Sequence, residues 1–125
     1  DLAGIEFGAF GGTNFAQMEL LRSNSSKQEY LNPLASIGHT AEEMVGYIND
    51  LPFSIMNGKN IIISGGIKDW LEGYYLIKKI NYPAVFGQAS AFLKKAQGDY
   101  ESLSDYVFNL KKGLLLAHSY LRLRE

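Results

Sequence analysis
The sequence predicts an α/β fold built on a parallel sheet, and three observations carry that reading. Short runs rich in β-branched and aromatic residues alternate along the chain with stretches of helical periodicity. The runs are nearly continuously apolar, the pattern of strands covered on both faces. The second and third end in glycine or lead into it, which marks the strand-to-helix turns.

The first run is Gly4-Ile5-Glu6-Phe7, the second Asn60-Ile61-Ile62-Ile63-Ser64 and the third Pro83-Ala84-Val85-Phe86-Gly87. The segment from Ala9 to Gly38 is polar and in places rich in Gly, Ser and Asn, and reads as a long functional or disordered loop with a mobile tip at Ser23–Gln28. From Thr40 to Leu51, the residues Met44, Val45, Ile48 and Leu51 recur at helical spacing, and Thr40 with Glu43 has the spacing of a capping box. From Asp69 to Ile80, Leu71, Tyr74, Tyr75, Ile77 and Lys78 form a mixed helical face, with Asp69 and Glu72 repeating the cap-plus-acid spacing. A short helix covers Ala91–Gln97. A long amphipathic one covers Ser102–Leu123, carried by Leu103, Tyr106, Val107, Leu110, Leu114, Ala117, His118 and Leu121. Gly113 weakens that helix by about 1 kcal/mol relative to alanine. The β-α-β-α-β order implies right-handed βαβ units. Three strands leave two exposed edges, which proteins normally pair or cover, so the chain is expected to be part of a larger fold or to self-associate as a homo-oligomer.

Composition bounds the function. The chain has 125 residues with 12 Lys+Arg against 13 Asp+Glu, a net charge of −1 that excludes a nucleic-acid or anionic-membrane binder driven by bulk charge. Hydrophobic residues make up 46% and charged residues 20%, ordinary for one folded domain and too apolar for disorder. Cysteine is absent, which removes disulfides, thiolate metal sites and a cysteine nucleophile. No apolar run approaches the roughly 20 residues needed to span a bilayer. The start, Asp1-Leu-Ala-Gly, lacks an initiator Met and the basic and apolar regions of a secretory leader. The expectation is a cytoplasmic protein, and this chain a piece of it spanning residues 1–125 as a single unit.

Three elements could carry chemistry, and all follow a strand. Ile63-Ser64-Gly65-Gly66-Ile67-Lys68 has two glycines that let backbone N–H groups approach an anion; its plainer reading is a strand-to-helix turn. Gly87-Gln88-Ala89-Ser90-Ala91 precedes a short helix, the arrangement of the phosphate sites after the last strands of (β/α)8 barrels. Phe10-Gly11-Gly12-Thr13-Asn14-Phe15 offers a hydroxyl at Thr13 and a tight approach at its glycines. Parallel α/β folds bind ligands at the C-terminal ends of their strands. Gly65, Gly66, Ala89 and Ser90 should therefore converge, with a helix N-terminus behind each turn and Lys68 adding charge. The remaining candidates read as structural. His39 precedes a helix start, His118 sits at a core rim, and Trp70 and the eight tyrosines serve packing. Lys111, Lys112, Arg122 and Arg124 form a solvated face, and no His/Asp/Glu cluster has metal-ligand spacing. Glu6 alone is not an acid/base pair.

Taken in order, Gly11-Gly12-Thr13-Asn14-Phe15-Ala16, Ser64-Gly65-Gly66-Ile67-Lys68 and Gln88-Ala89-Ser90-Ala91-Phe92-Leu93 resemble the later strands of type 2 isopentenyl-diphosphate isomerase. The resemblance implies an α/β fold that is the C-terminal part, about three βα units, of a TIM (β/α)8 barrel with parallel strands. It implies that Thr13 contacts FMN and that Gly65, Gly66, Ile67, Lys68, Ala89 and Ser90 hold its phosphate. Lys68 stands where that family has Arg, keeping charge but losing the bidentate fork. Ser90 stands where it has Gly. The resemblance further implies Mg²⁺ to hold the diphosphate, NADPH to reduce FMN, and isopentenyl and dimethylallyl diphosphate as substrates of the complete enzyme. The family's glutamine, its Mg²⁺-ligating glutamate and its basic substrate-binding segment have no counterpart in this sequence, so the isolated chain is expected to be inactive. The alternatives are another FMN-dependent barrel oxidoreductase, disfavoured by the absence of Cys and the position of His39, and a non-catalytic phosphate-binding or interaction module.

Overall fold
A computed structural model describes residues 2–124; Asp1 and Glu125 lie outside it. In chain order the elements are β1 (Gly4–Gly8), α1 (Phe15–Arg22), α2 (Ser25–Leu31), a 3-10 turn (Asn32–Ser36), α3 (Ala41–Asn49), α4 (Phe53–Met56), β2 (Asn60–Ser64), α5 (Trp70–Lys79), β3 (Ala84–Gly87), α6 (Ser90–Ala96) and α7 (Tyr100–Tyr120). The strands form one sheet in the order β1-β2-β3, and both pairings are parallel. The register aligns Glu6 with Ile62 and Gly8 with Ser64 in one pair, and Ile62 with Val85 and Ser64 with Gly87 in the other.

That register separates the two faces of the sheet. Phe7, Ile61 and Ile63 point to one side and are buried with Ala41, Val45 and Ile48 of α3, Leu76 of α5, and Met56; Ile5, Ala84 and Phe86 pack against the same cluster. Each fully buried aliphatic side chain contributes about 2 kcal/mol of transfer free energy. Both crossovers therefore cover the same face. The other face carries Glu6, Ile62 and Val85 in one row, with Ile62 37% and Val85 58% exposed. Coverage of both faces, expected from the apolar runs, is corrected to coverage of one among the described residues. An apolar run shows that both faces avoid water, not which segment covers each.

The expected helices are present with shifted ends. Thr40 and Glu43 complete the capping box of α3: the Thr40 hydroxyl accepts from the Glu43 N–H at 3.2 Å, and the Glu43 carboxylate accepts from the Thr40 N–H at 2.8 Å. Gly113, read from the sequence as a weak point in α7, is a packing device. A Cβ there would stand 2.4 Å from the Trp70 indole, so its absence lets α7 seat on the start of α5.

The loop expected over Ala9–Gly38 is corrected: it holds α1, α2 and the 3-10 turn. Two of the Asn residues that mark it as loop are helix N-caps. Asn14 Oδ1 accepts from the Gln17 N–H at 2.9 Å and Asn24 Oδ1 from the Lys27 N–H at 3.1 Å. Among the described residues, Ala9, Leu20 and Ala35 are the buried hydrophobics of this stretch, too few for a readable helical period.

Candidate functional site
The turns after the three strands meet at the C-terminal end of the sheet. Gly65 and Gly66 adopt φ of +98° and +74°, conformations that favour glycine. The space demands it too, because a Cβ on Gly65 would lie 2.2 Å from the Ala9 carbonyl oxygen and one on Gly66 2.4 Å from that of Phe10. Gly11 and Gly12 press back against Gly66 and Gly65. The two Gly-Gly pairs are thus a backbone-to-backbone contact between neighbouring turns, a role independent of any ligand.

Beside this contact lies a cavity of about 480 Å³. Thr13, Gly65, Gly66, Ile67, Ala89 and Ser90 all line it. Ser64 and Gly87, aligned in the register, keep its floor open, and Glu6 lies one row lower on the uncovered face. Among the described residues, Glu6 is the sole ionisable side chain in that lining. Lys68 is the predicted residue that the structure does not bring in; it borders adjoining clefts on the α5 side.

The backbone donors are unevenly used. Among the described residues, no protein group accepts from the N–H of Gly65, Gly66, Ile67, Gln88, Ala89 or Ser90. The start of α5 is different. Asp69 Oδ1 accepts from the N–H groups of Leu71 and Glu72, both at 2.9 Å, and Glu72 Oε2 accepts from the Lys68 N–H at 2.9 Å. The expectation of an anion-favouring helix N-terminus behind each turn is therefore corrected for α5. Its own carboxylates take the donors and cancel the positive end of the helix dipole.

In comparisons with protein-family models, curated proteins and solved structures, nothing matches the chain.

Gln88 ties the second and third turns together. Its Nε2 donates to the Ile67 carbonyl at 3.1 Å, and its Oε1 accepts from the Tyr106 hydroxyl at 3.1 Å. The Tyr106 ring stands edge-on to Phe92 at 5.2 Å, joining α6 to α7. The sequence motif contained Gln88, but nothing in its spacing to Ile67 or Tyr106 announces the link. A second missed cluster lies on the outer surface, where Glu42 of α3 accepts from the Tyr75 hydroxyl at 2.5 Å and pairs with Lys79 of α5. The Lys79 ammonium, then the Tyr75 hydroxyl, hold the Glu42 carboxyl below its ordinary value of 4.5. Glu42 raises Lys79 in return. Both are open to solvent, so this is a clamp between helices.

The histidines stay outside the cavity. His39 meets the Tyr47 ring edge-on at 5.1 Å and His118 meets Tyr74 at 5.0 Å. Among the described residues no three His, Asp or Glu side chains are grouped to hold a metal ion, and no helix is long and apolar enough to cross a membrane.

Proposed function
We propose that the chain is the C-terminal part, about three βα units, of a flavin-binding (β/α)8 barrel, and that its second and third turns hold the phosphate of FMN. The reaction we assign to the complete enzyme is the interconversion of isopentenyl and dimethylallyl diphosphate. One observation carries the reading: six backbone N–H groups without an acceptor among the described residues, from Gly65 to Ile67 and from Gln88 to Ser90, belong to residues around one cavity. A phosphate monoester near neutral pH carries close to two negative charges and three strong acceptor oxygens, which converging backbone donors satisfy without side-chain ordering.

The residues fit the group. The Ser90 hydroxyl adds a donor that rotates to suit an oxygen, and Thr13 offers another from the opposite turn. Glu6 sits two residues below the strand end, about 7 Å down the sheet, which separates its charge from the phosphate end. Lys68 stands outside the lining and contributes only a longer-range positive potential. Crossovers confined to one face fit a barrel wall, with Glu6, Ile62 and Val85 then facing the interior.

Reduced FMN, when bound, supplies the proton-transfer chemistry of the isomerisation. Mg²⁺ for the diphosphate and NADPH as reductant belong to the complete enzyme and draw on residues beyond this chain. With the reading go a cytoplasmic location and a homo-oligomeric state, the latter because β1 and β3 each leave one edge unpaired among the described residues. The test is to purify the complete gene product, record its flavin spectrum, and assay it with isopentenyl diphosphate, Mg²⁺ and reduced FMN. Bound FMN with turnover supports the reading. Bound FMN without turnover points to another flavin barrel, and a protein that takes up no flavin contradicts the phosphate site itself.

A further inference from the structure
The Ile67–Lys68 peptide is pinned at both ends by side chains from different elements. Its carbonyl accepts from Gln88 Nε2 at 3.1 Å, and its N–H donates to Glu72 Oε2 at 2.9 Å. The pins matter because the peptide follows two glycines, whose backbone has more accessible states than any other residue's. A free peptide there could turn its carbonyl toward the cavity and set the negative end of a dipole against an anion. Gln88 is itself oriented. The Tyr106 hydroxyl donates to its Oε1, which leaves Nε2 as the end that meets the Ile67 carbonyl. Tyr106 is in turn seated by its edge-on contact with Phe92.

We infer that Gln88 is a positioning residue, held by Tyr106, which fixes the Ile67 carbonyl and so makes the cavity selective for the phosphate-bearing flavin over the same flavin without phosphate. This rests on the proposed FMN-phosphate site and names what enforces its selectivity. The Gln88 side-chain amide bonds the turn and Tyr106, and its backbone N–H is kept when the side chain is replaced, so loss of the amide should be felt only by a ligand with a phosphate.

The probes are FMN and riboflavin, which differ only in that phosphate, titrated by flavin fluorescence against the complete gene product and its variants. Gln88→Leu should weaken FMN about tenfold, the worth of one well-placed hydrogen bond in a charged site, and leave riboflavin within about twofold. Tyr106→Phe keeps the ring against Phe92 and loses only the hydroxyl. It should weaken FMN about threefold, and add nothing when combined with Gln88→Leu, because it acts through the same amide. Unchanged FMN affinity in Gln88→Leu, or equal losses for both flavins, overturns the inference. If Gln88→Leu does not fold, Tyr106→Phe decides alone, and an unchanged FMN-to-riboflavin ratio overturns it. Ser90→Glu separates the levels: if it weakens FMN selectively while Gln88→Leu does not, the phosphate site stands and Gln88's role falls. A parent protein with no preference for FMN sinks both.

Discussion

The turn after β2 and the turn after β3 occupy equivalent places in successive βα units, yet they are built on opposite principles. The first is locked. Two glycines with positive φ are wedged against the Ala9 and Phe10 carbonyls, and the following helix is closed by Asp69 and Glu72. The second has no positive-φ residue and no side-chain cap at the start of α6, and is tied across to the first turn by Gln88. Changes in the first turn should therefore act on the fold, and changes in the second on what the cavity holds.

The largest expected effect sharpens that contrast. Gly65→Ala places a methyl group 2.2 Å from a carbonyl oxygen at φ +98°, so the turn must move. Chemical denaturation should report a loss of about 3 kcal/mol. Ser90→Ala, in the exposed second turn, should stay within about 0.5 kcal/mol of the parent. Similar losses for the two would erase the distinction.

A smaller effect probes the closed helix start. Asp69→Ala removes the acceptor for the Leu71 and Glu72 N–H groups and should cost about 1 kcal/mol. FMN affinity should not change, because those donors are not offered to the cavity. A tighter FMN complex in Asp69→Ala would mean that the α5 start competes for the phosphate after all.

The contrast between the turns was only half visible in the sequence. Asp69 and Glu72 announced a cap, but that Glu72 reaches the Lys68 N–H rather than its own cap residue depends on the path of the turn. Gly65-Gly66 was legible as a special backbone. Its reason, close approach to the Ala9 and Phe10 carbonyls, needed the register of β1 against β2. The three strands were legible because each is a short run with β-branched and aromatic residues, bounded by turn residues. The helices between Phe15 and Leu31 were not, since their caps are Asn side chains and their buried surface is slight. Gln88 and Tyr106 are 18 residues apart, across α6 and the first turns of α7, a distance that no local pattern encodes.

The smallest expected effect lies away from both turns. The Glu42, Glu43 and Asp99 carboxyls are all held below their ordinary values, by Lys79 with Tyr75, by the Thr40 N–H, and by the Ser102 N–H respectively. A folded value below the unfolded one means that the unfolded chain takes up the proton first. These contributions are complete above the ordinary carboxylate values of 4.5 and 3.8 and are lost as pH falls through the lower folded values. Melting temperatures should decline on acidification below about pH 5, and Glu42→Gln should flatten that decline slightly. An acid limb identical in the variant would mean that the clamp between α3 and α5 contributes nothing.

The central claim is that the two turns together hold a phosphate, with the second open to it. The most direct measurement is the FMN-to-riboflavin affinity ratio of the complete gene product and of its Ser90→Glu variant, by fluorescence titration. Ser90 is exposed and forms no hydrogen bond that the fold depends on, so the variant tests charge against charge without disturbing the locked turn. The account predicts that the parent prefers FMN and that Ser90→Glu weakens FMN at least about thirtyfold while riboflavin binds as before. An FMN affinity unchanged by the added carboxylate would contradict it.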